Sequence, residues 1–535
     1  MTSVSRREFL LTAAAVGASG KPDDEKTRLG LVRSNHKRLV RPVSLEDPLD
    51  YAIVRDMVWK AIEYGKPRAG SLEAKIRPGA WVVVKPNGSY VAPQSGYRAG
   101  DITDLRVTQA VLEYVATKSQ ARRITLAEGA SQRRAGDPGK TDVVVQRGRQ
   151  VNWFSYEWDG KEYPGMSGSL ENLLREMSAR FPGKVFDSVD LSYDAVRDPS
   201  GKPVRVEVAR SARGVGAFGA RPDYFITNTV RGCDFLINVP VMKVHDGCGI
   251  TSTFKSYVGT APREAYQGNL GFYNLLLHSQ HQVEDRIDGL IVDLASVHPP
   301  DYSVVCGIRG LQAAVHNIGR EDQTVRSNLI LAGEDPVAVD RMVAYLSGFN
   351  PLDMEFLHMA AKRDMGTMDP RRIEVVGDDP DPGRRYFEKP APWHGRGNRE
   401  WTIARHPDSP EAKWTRHTAP TDTLSFAKWA GGAAPGTVFG ATARVYAEGH
   451  RKTFLWAGIQ GRLVASLNGE KVMEEEGRTR YRVGQFQRAI ELKPGENVLR
   501  FRLEPVAEKA LLSVLLVGSR NDGDTVEGIR WMEAS

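Results

Sequence analysis

The residue types best suited to chemistry are concentrated between residues 238 and 255. That segment reads Asn-Val-Pro-Val-Met-Lys-Val-His-Asp-Gly-Cys-Gly-Ile-Thr-Ser-Thr-Phe-Lys, so a polar, glycine-rich stretch follows an apolar one. His245 can serve as a base or a metal ligand, because histidine titrates close to neutral pH. Lys255 can hold an anion, or act as a nucleophile if it is removed from water. The alternative is a solvated loop with scattered charges and no catalytic role.

The elements around this segment predict where it lies. An apolar run over residues 234–240 predicts a buried strand just before it, and ligands of parallel sheets bind beyond the carboxyl ends of strands. Alternating strand and helix patterns elsewhere indicate βαβ units. The predicted helices cover residues 50–64, 104–117 and 336–346, and the further strands cover residues 80–85, 123–127, 289–293 and 328–333. Residues 51–376 therefore predict one α/β domain with a parallel or mixed sheet and flanking helices.

The composition changes after residue 376. Residues 377–414 are rich in proline, glycine and aspartate, which predicts a linker. Residues 415–535 contain short alternating strands separated by turns such as Asn468-Gly469 and Pro494-Gly495, which predicts an antiparallel β-sandwich. Together with the run Phe454-Leu455-Trp456-Ala457-Gly458, these turns resemble galactose-binding-like jelly-roll modules. Such modules either bind carbohydrate or pack against a catalytic domain, and the structural role is favoured here.

The first twenty residues predict an export signal. Arg6 and Arg7 precede Phe9-Leu10, a short apolar run and small residues, which resembles the twin-arginine signal. The predicted partner is the twin-arginine export machinery, and the predicted location is the bacterial periplasm or the extracellular space. The apolar run is too short to span a bilayer, which takes about 20 residues. Residues 21–50 are polar and predict a lead-in arm before the α/β domain.

Composition narrows the class of protein. The 535 residues carry a net charge of +7 that no long basic run concentrates, so no nucleic-acid partner is predicted. The three cysteines are Cys233, Cys248 and Cys306. They contain no C-x-x-C pair and are too few for a four-cysteine iron–sulfur cluster, although one disulfide is compatible with their number.

Several separated motifs together resemble the family named domain of unknown function 362. Its strand-and-loop pattern is matched by Asn238, Pro240, Lys243, His245, Gly249, Thr251, Lys255 and Gly259. The other matching segments are Lys85-Pro86-Asn87, Thr103-Asp104, Glu128-Gly129, residues 332–340 and residues 348–351. The resemblance covers most of residues 75–376. It implies a shared α/β domain, while the family name leaves the activity open.

A more distant similarity suggests a cofactor. Lactate racemase-like enzymes, which use a nickel-pincer nucleotide, carry a loop histidine and, ten residues later, a lysine bonded to that cofactor. His245 and Lys255 have the same spacing. The similarity implies proton and hydride movement at a 2-hydroxy-acid carbon, and therefore an isomerase or an oxidoreductase. A further nickel-binding histidine has no clear counterpart. His278 and His281 are the nearest candidate metal ligands, but a polar helix end is the favoured explanation for them.

Three further features have structural explanations beside functional ones. Residues 214–219 fit G-x-G-x-x-G, but a dinucleotide site requires a helix to begin there, and the sequence predicts a strand soon after. Asp335 before Pro336 suits a helix N-cap as well as a ligand-binding role. Asp340 lies one turn further into the same predicted helix, where capping does not explain it.

Three functional classes follow from the sequence. The favoured class is an enzyme acting on a small anionic substrate, with metal- or cofactor-dependent proton or hydride chemistry as one form of it. Its predicted catalytic residues are Lys85, His245 and Lys255, and its predicted substrate- or cofactor-binding residues are Asn87, Lys243, Thr251, Asp335 and Asp340. The second class is a metal or redox carrier. The third is a carbohydrate-binding or envelope scaffold protein in which the C-terminal sandwich is the functional part.

Overall fold

The computed structural model describes the chain from residue 26 to residue 534 with short gaps. The gaps are residues 89–99, 130–143, 159–162, 164–165, 167, 267–274, 284–285, 314–320, 350, 352–353, 386, 389–396, 420–422, 435, 478, 480–484, 507–509, 519–525 and 527. The predicted export signal at residues 1–20 lies outside the described residues.

The strands of the first 377 residues are β1 (Thr27–Arg33), β2 (Trp81–Pro86), β3 (Arg123–Glu128), β4 (Val144–Gln146), β5 (Arg149–Val151), β6 (Val185–Asp190), β7 (Arg205–Glu207), β8 (Asp223–Phe225), β9 (Phe235–Val239), β10 (Lys243–His245), β11 (Gly249–Thr251), β12 (Tyr302–Leu311), β13 (Thr324–Gly333) and β14 (Ile373–Gly377). The later strands are β15 (Glu400–Arg405), β16 (Thr415–Thr418), β17 (Thr423–Ser425), β18 (Phe439–Ala447), β19 (Arg451–Ile459), β20 (Arg462–Leu467), β21 (Glu470–Glu475), β22 (Phe486–Leu492), β23 (Gly495–Glu504), β24 (Leu511–Val517) and β25 (Ile529–Trp531).

The α-helices are α1 (Tyr51–Tyr64), α2 (Leu72–Lys75), α3 (Leu105–Lys118), α4 (Leu170–Arg180), α5 (Asn228–Gly232), α6 (Arg263–Tyr266), α7 (Leu275–His281), α8 (Asp288–Val297), α9 (Pro336–Leu346), α10 (Glu355–Lys362) and α11 (Phe426–Ala430). Aspartate caps begin three of them, because a carboxylate accepts the amide hydrogens that the first helical turn leaves unpaired. Asp50 caps α1, Asp104 caps α3 and Asp335 caps α9.

An eight-stranded mixed sheet forms the centre of the α/β domain, in the order β14-β1-β13-β12-β9-β2-β3-β6. Strand β13 runs antiparallel to both neighbours, and the other adjacent pairs are parallel. Apolar clusters cover both faces, one including α1 and α3 and the other including α8, α9 and α10. This mixed α/β architecture confirms the predicted class. Because β9, β2 and β3 are parallel neighbours, their carboxyl ends meet at one edge of the sheet.

One strand predicted from the sequence is a helix in the structure. Residues 289–293, predicted as a strand, lie within helix α8. The run Gly-Leu-Ile-Val-Asp is apolar on every side, and a short buried run of that kind does not distinguish strand from helix by periodicity. The error removes one predicted strand from the sheet and places a buried helix beside the 238–255 segment instead.

The predicted lead-in arm contains a sheet strand. Within residues 21–50, the segment Thr27–Arg33 forms β1, which pairs with β13 on one side and β14 on the other. Leu29 and Leu31 are fully buried, and Gly30 allows the backbone of α1 to approach, because a Cβ at residue 30 would meet the carbonyl oxygen of Ala61. The charged residues around β1 concealed this short apolar alternation, so the α/β fold starts before residue 51.

The C-terminal region consists of antiparallel strands, as its sequence predicts. One sheet has the order β16-β15-β18-β23-β20-β21, with β25 paired to β18, and the other has the order β17-β24-β19-β22. Buried residues of both sheets belong to one hydrophobic cluster. Strand β15 lies inside the segment predicted as a linker, residues 377–414, and pairs with β18. The antiparallel region therefore begins by residue 400.

A buried ion pair joins the C-terminal region to the α/β domain. Arg399 Nη1 lies 2.6 Å from Glu355 Oε1 at the start of α10, and the side chains are 11% and 1% exposed. Arg399 Nε also donates to the carbonyl oxygen of Ala419. Within the described ranges, no helix is long and apolar enough to cross a membrane. Cys233, Cys248 and Cys306 are all buried, and none of them is in a disulfide within the described residues.

Candidate functional site

A small hairpin presents three of the predicted residues on one face. Strands β10 and β11 are antiparallel, with Lys243 opposite Thr251 and His245 opposite Gly249. Side chains alternate along a strand, so Lys243, His245 and Thr251 share a face, while buried Val244 and Ile250 occupy the other. The sheet fixes the hairpin directly, because the amide of Met242 donates to the carbonyl oxygen of Cys306 in β12.

Lys85 and Glu128 form a buried ion pair at the ends of β2 and β3. Lys85 Nζ lies 2.6 Å from Glu128 Oε2, and the two side chains are 1% and 3% exposed. Burial raises the pKa of the Glu128 carboxyl, while the neighbouring lysine opposes that shift. Lys85 Nζ also donates to Ser256 Oγ at 3.1 Å and to the carbonyl oxygen of Pro86. Its amine is therefore bonded to three protein groups, and the catalytic role expected for Lys85 stays a prediction.

The ion pair continues into a hydrogen-bonded chain through the second half of the segment. Ser256 Oγ donates to Asn238 Oδ1 at 3.0 Å, and Asn238 Nδ2 donates to the carbonyl oxygen of Thr253 at 2.9 Å. These groups are buried, so each bond replaces one that water would otherwise supply. The chain connects the end of β9 to the turn that carries Lys255.

Glycines allow this packing around Glu128. A Cβ at Gly259 would lie 2.9 Å from Glu128 Oε1 and 3.1 Å from Lys85 Nζ. A Cβ at Gly129 would meet the carbonyl oxygen of Gly259 itself. Both positions are part of the motifs identified from sequence, and the structure gives their reason: a side chain at either would displace the ion pair or the turn.

Lys243 belongs to a second buried ion pair. Its Nζ lies 2.9 Å from Asp101 Oδ1, and both side chains are almost fully buried. Asn87 lies beside this pair, since its Nδ2 is 3.5 Å from the carbonyl oxygen of Asp101 and its amide donates to Thr103 Oγ1. Thr103 Oγ1 in turn donates to the carbonyl oxygen of Val239. Asn87 and Lys243 thus lie in the predicted region, bonded to protein groups.

Asp340 fixes the turn that precedes Lys255. Its carboxylate accepts the amide hydrogens of Thr253 at 2.8 Å and Phe254 at 3.0 Å from its fully buried position in α9. Burial raises the pKa of Asp340 to about 6, against the lowering effect of those hydrogen bonds. The residue that capping could not explain therefore binds backbone amides of the functional segment.

Lys255 has a different environment from Lys85 and Lys243. It begins the 3₁₀ turn Lys255–Thr260, is partly buried, and makes no hydrogen bond or ion pair within the part of the chain that the structure describes. The pKa of Lys255 is lowered to about 8. Burial is the largest cause, the charges of Lys243 and Lys85 act in the same direction, and Cys248 and Asp246 act in the opposite direction. A substantial fraction of this amine is neutral near physiological pH.

His245 is held at the hairpin turn. Its Nδ1 accepts the amide hydrogen of Gly247 at 3.0 Å, an assignment that places the proton of the neutral ring on Nε2. Asp246 Oδ1 lies 3.2 Å from the same nitrogen and becomes an ion-pair partner if the ring is protonated.

The other two candidate metal-binding histidines, His278 and His281, have different surroundings. Burial lowers the pKa of His278 in α7 to about 4, and the charge of Lys255 acts in the same direction. His281 is fully buried, stacks on Tyr224 with ring centroids 4.0 Å apart, and contacts Arg205 through Nε2. Burial lowers its pKa to about 4 as well. Across the described residues, no group of three or more His, Cys, Asp or Glu side chains could hold a metal ion.

Two further predicted features have structural roles. Asp335 Oδ1 accepts the amide hydrogen of Ala338 as the cap of α9, and its carboxylate also accepts that of Thr367. No helix begins within the G-x-G-x-x-G segment at residues 214–219. There the amides of Phe218 and Gly219 donate to the carboxylate of Asp293, so protein occupies these donors.

Sequence reasoning missed three members of the site as functional residues: Asp101, Glu128 and Ser256. Glu128 follows a predicted strand that is parallel to the Lys85 strand, so its place at the same sheet edge was a usable signal. Ser256 directly follows Lys255, and nothing in its spacing indicates that it bonds Lys85. Asp101 lies outside any predicted element, and only the fold brings it to Lys243.

The comparisons support this segment as the recognisable part of the chain. Residues 200–345 match the family model of the Domain of unknown function (DUF362). This span contains Lys243, His245, Lys255 and Asp340, and it is shorter than the 75–376 expected from the motifs. No curated protein matches the chain.

Among solved structures, the lactate racemase apoprotein from Thermoanaerobacterium thermosaccharolyticum is 13% identical, with a TM-score of 0.27, over 55% of this chain and 55% of that one. A family 35 carbohydrate binding module from an environmental isolate is 15% identical, with a TM-score of 0.15, over 19% of this chain and 75% of that one. The PA14 domain of the MpAFP antifreeze protein is 13% identical, with a TM-score of 0.14, over 17% of this chain and 46% of that one.

The described residues fit a nickel-pincer nucleotide only in part. Lys255 offers an unpaired amine, as covalent attachment requires. A nickel ion also needs a donor set from the protein, and His281 is stacked on Tyr224 in the core while Nδ1 of His245 already accepts a hydrogen bond. With no cluster of metal-ligating side chains in the described ranges, no reaction step is assigned to this cofactor.

Proposed function

We propose that the α/β domain is an enzyme whose site, at the carboxyl ends of β2, β3 and β9, binds a small anionic substrate beside Lys255. The observation that carries the proposal is the contrast among three lysines that affect one another electrostatically. Lys85 and Lys243 are neutralised by buried carboxylates, and Lys255 is left with an available amine.

The electrostatics of the site suit proton transfer. A lysine with a pKa of about 8 is protonated often enough to attract an anion and neutral often enough to accept a proton or attack a carbon. A second ionisable side chain on the hairpin, His245, lies with Nδ1 3.2 Å from Asp246 Oδ1. The favoured reaction class is proton movement at a carbon next to a carboxylate, which is isomerase-like; hydride chemistry would require a cofactor.

The proposal is tested by substrate binding and by hydrogen exchange. A panel of 2-hydroxy and 2-oxo carboxylates is titrated into the full-length protein by calorimetry, and deuterium uptake from D₂O at the carbon next to the functional group is followed by NMR. The expected result is that wild type binds and exchanges at least one member, Lys255→Arg retains binding and loses exchange, and Lys255→Met loses both. Arginine keeps the charge and does not lose its proton.

Two controls define the outcome. Lys471→Met removes an exposed lysine of the C-terminal region and is expected to behave as wild type. If Lys255→Arg exchanges as fast as wild type, or if no carboxylate of the panel binds more tightly to wild type than to Lys255→Met, the proposed function is wrong.

For the C-terminal region we propose a β-sandwich with a supporting role. The buried Arg399–Glu355 pair supports this proposal, because it holds the region against α10. A carbohydrate-binding role would favour exposed aromatic side chains, and Trp414 is the one large aromatic among the exposed hydrophobic side chains of the described residues. Retention on immobilised polysaccharides that Trp414→Ala abolishes would overturn the supporting role.

We also propose export through the twin-arginine pathway, supported by residues 5–18 of the sequence. In a bacterial host with that pathway, the protein is expected in the exported fraction, and Arg6→Lys/Arg7→Lys is expected to leave it in the cytoplasm. Equal export of both forms would contradict the proposal.

A further inference from the structure

Lys255 is the site lysine whose amine can reach a carbon electrophile. Lys85 Nζ is bonded to Glu128, Ser256 and the carbonyl oxygen of Pro86, and Lys243 Nζ is bonded to Asp101. Attack by either would break a buried ion pair. Lys255 is partly exposed and lacks such a bond within the described ranges, so its lone pair becomes available once a proton leaves.

The nearby thiol does not compete with this amine. Cys248 is buried, donates to the carbonyl oxygen of Ile250, and has a pKa raised well above the usual value by burial. It therefore remains a thiol at neutral pH, and the thiolate is the reactive form of cysteine. Compared with Lys85, Lys243 and Cys248, Lys255 therefore carries the available nucleophile, which is its amine nitrogen.

The backbone holds Lys255 in place. Asp340 binds the amides of Thr253 and Phe254, and the amide of Ser256 donates to the carbonyl oxygen of Ser252. These bonds lie on both sides of the lysine in the chain and fix the origin of its side chain. Preorganisation of this kind favours a covalent step, because less conformational freedom is lost when the bond forms.

A hydroxyl suited to an anion lies on the same hairpin. Thr251 Oγ1 is buried and has no hydrogen-bond partner in the described part of the chain. Thr251 stands opposite Lys243 on the face that also carries His245. A buried hydroxyl without a partner is unfavourable, so a ligand acceptor that reaches it would be favoured.

From this geometry we infer that Lys255 forms a Schiff base with a 2-oxo acid, whose carboxylate accepts a hydrogen bond from Thr251 Oγ1. The inference rests on the proposed function and specifies its substrate class. The neutral Nζ attacks the carbonyl carbon, and the carbonyl oxygen takes up two protons and leaves as water, while the nitrogen loses its two hydrogens and forms the C=N bond. The step needs no oxidant or reductant.

The test is reductive trapping on the full-length protein. Pyruvate or glyoxylate is added at pH 7 to 8 with cyanoborohydride, which reduces an imine to a stable secondary amine, and peptide mass mapping locates the adduct. Lys184 is the internal reference, because burial lowers its pKa too while its amine donates to the carbonyl oxygens of Ser119 and Ala121. Lysines of ordinary pKa, about 10.4, have a neutral fraction on the order of a hundredfold smaller than Lys255 at pH 7.

The expected yield of adduct at Lys255 is at least about tenfold above the yield at any other lysine, because its neutral fraction is larger. Thr251→Val is expected to reduce adduct formation from the acids and to leave that from acetaldehyde, which has no carboxylate. An adduct spread evenly over Lys255, Lys184 and surface lysines would overturn the inference.

Two other results separate this inference from the proposed function. If the acids protect Lys255 against amine-reactive reagents and no adduct is trapped, the Schiff base is wrong and the anion site stands. If there is neither protection nor adduct, both are wrong. Lys255→Arg serves as the folded control, since it retains the charge and cannot form the imine.

Discussion

Lys255 differs from Lys85 and Lys243 because each of those lysines is paired with a buried carboxylate. Within the described residues, Lys255 has no such partner. Because burial and those neighbours lower its pKa to about 8, we expect amine modification of Lys255 to reach half its maximal rate near pH 8. Surface lysines should reach theirs above pH 10. Reductive methylation at a series of pH values, read by peptide mapping, measures this directly. A midpoint for Lys255 equal to that of exposed Lys471 would contradict the site electrostatics.

Asp340 carries a pH dependence of the opposite kind. Its pKa is about 6 in the folded protein, above the ordinary value of 3.8 for an aspartate, so the folded state binds this proton more tightly. Its contribution to the free energy of unfolding is therefore largest below about pH 4 and is lost as pH rises through about 6. Comparing thermal midpoints of wild type and Asp340→Asn from pH 4 to 7 isolates this term. If the difference between the two proteins is constant over that range, the assignment is wrong.

At the scale of elements, the 3₁₀ turn after Lys255 depends on Gly259. Gly259→Ala places a Cβ within 2.9 Å of Glu128 Oε1 and 3.1 Å of Lys85 Nζ, so the buried ion pair must shift. Overpacking of this kind costs about 1–3 kcal/mol of unfolding free energy. Denaturant unfolding of Gly259→Ala should show that loss.

Gly183→Ala is the matched control for this variant. A Cβ at residue 183 meets nothing within 4 Å, so its effect should stay within about 0.5 kcal/mol. Equal losses for the two variants would contradict the packing explanation.

The elements show why part of the site was predictable and part was not. The apolar run before Asn238 correctly gave β9, and its parallel neighbours followed from the strand-helix-strand pattern, so the sheet edge that carries Lys85 and the hairpin was accessible from sequence. The run at residues 289–293 was misassigned because a fully buried helix of this length has no polar face to reveal its period. Pairings such as Lys243 with Asp101 join residues 142 positions apart and depend on the closed fold.

At the scale of the molecule, a buried ion pair connects the C-terminal region to the α/β domain. Arg399→Met leaves Glu355 buried without this partner, and breaking a buried ion pair costs about 3–5 kcal/mol. We expect a lower thermal midpoint and faster proteolytic cleavage between residues 377 and 414. In Arg399→Met/Glu355→Met both charges are gone, so stability should recover. A double variant as unstable as the single one would show that the pair is not the cause.

The bounds of the two regions were the hardest feature of the molecule to predict from the sequence. Strands β1 and β15 were assigned to an arm and a linker because their surroundings are polar, and each is a strand only because a distant partner completes it. The composition of a sequence window depends on the residues that flank a strand as much as on the strand, so polar flanks can hide a short strand. The predicted order of an α/β domain followed by antiparallel strands needed no such partner and is confirmed.

The position of β1 also fixes the order in which the protein can mature. Leu29 pairs with Gly333, about 300 residues later, and Thr27 pairs with Ile373 still later. During synthesis the N-terminal strand must therefore wait for nearly the whole α/β domain to leave the ribosome before it can be incorporated. Contacts this distant in sequence close late and slowly. The N-terminus is consequently anchored only in a completed domain, so the state of the first strand reports whether the rest has folded.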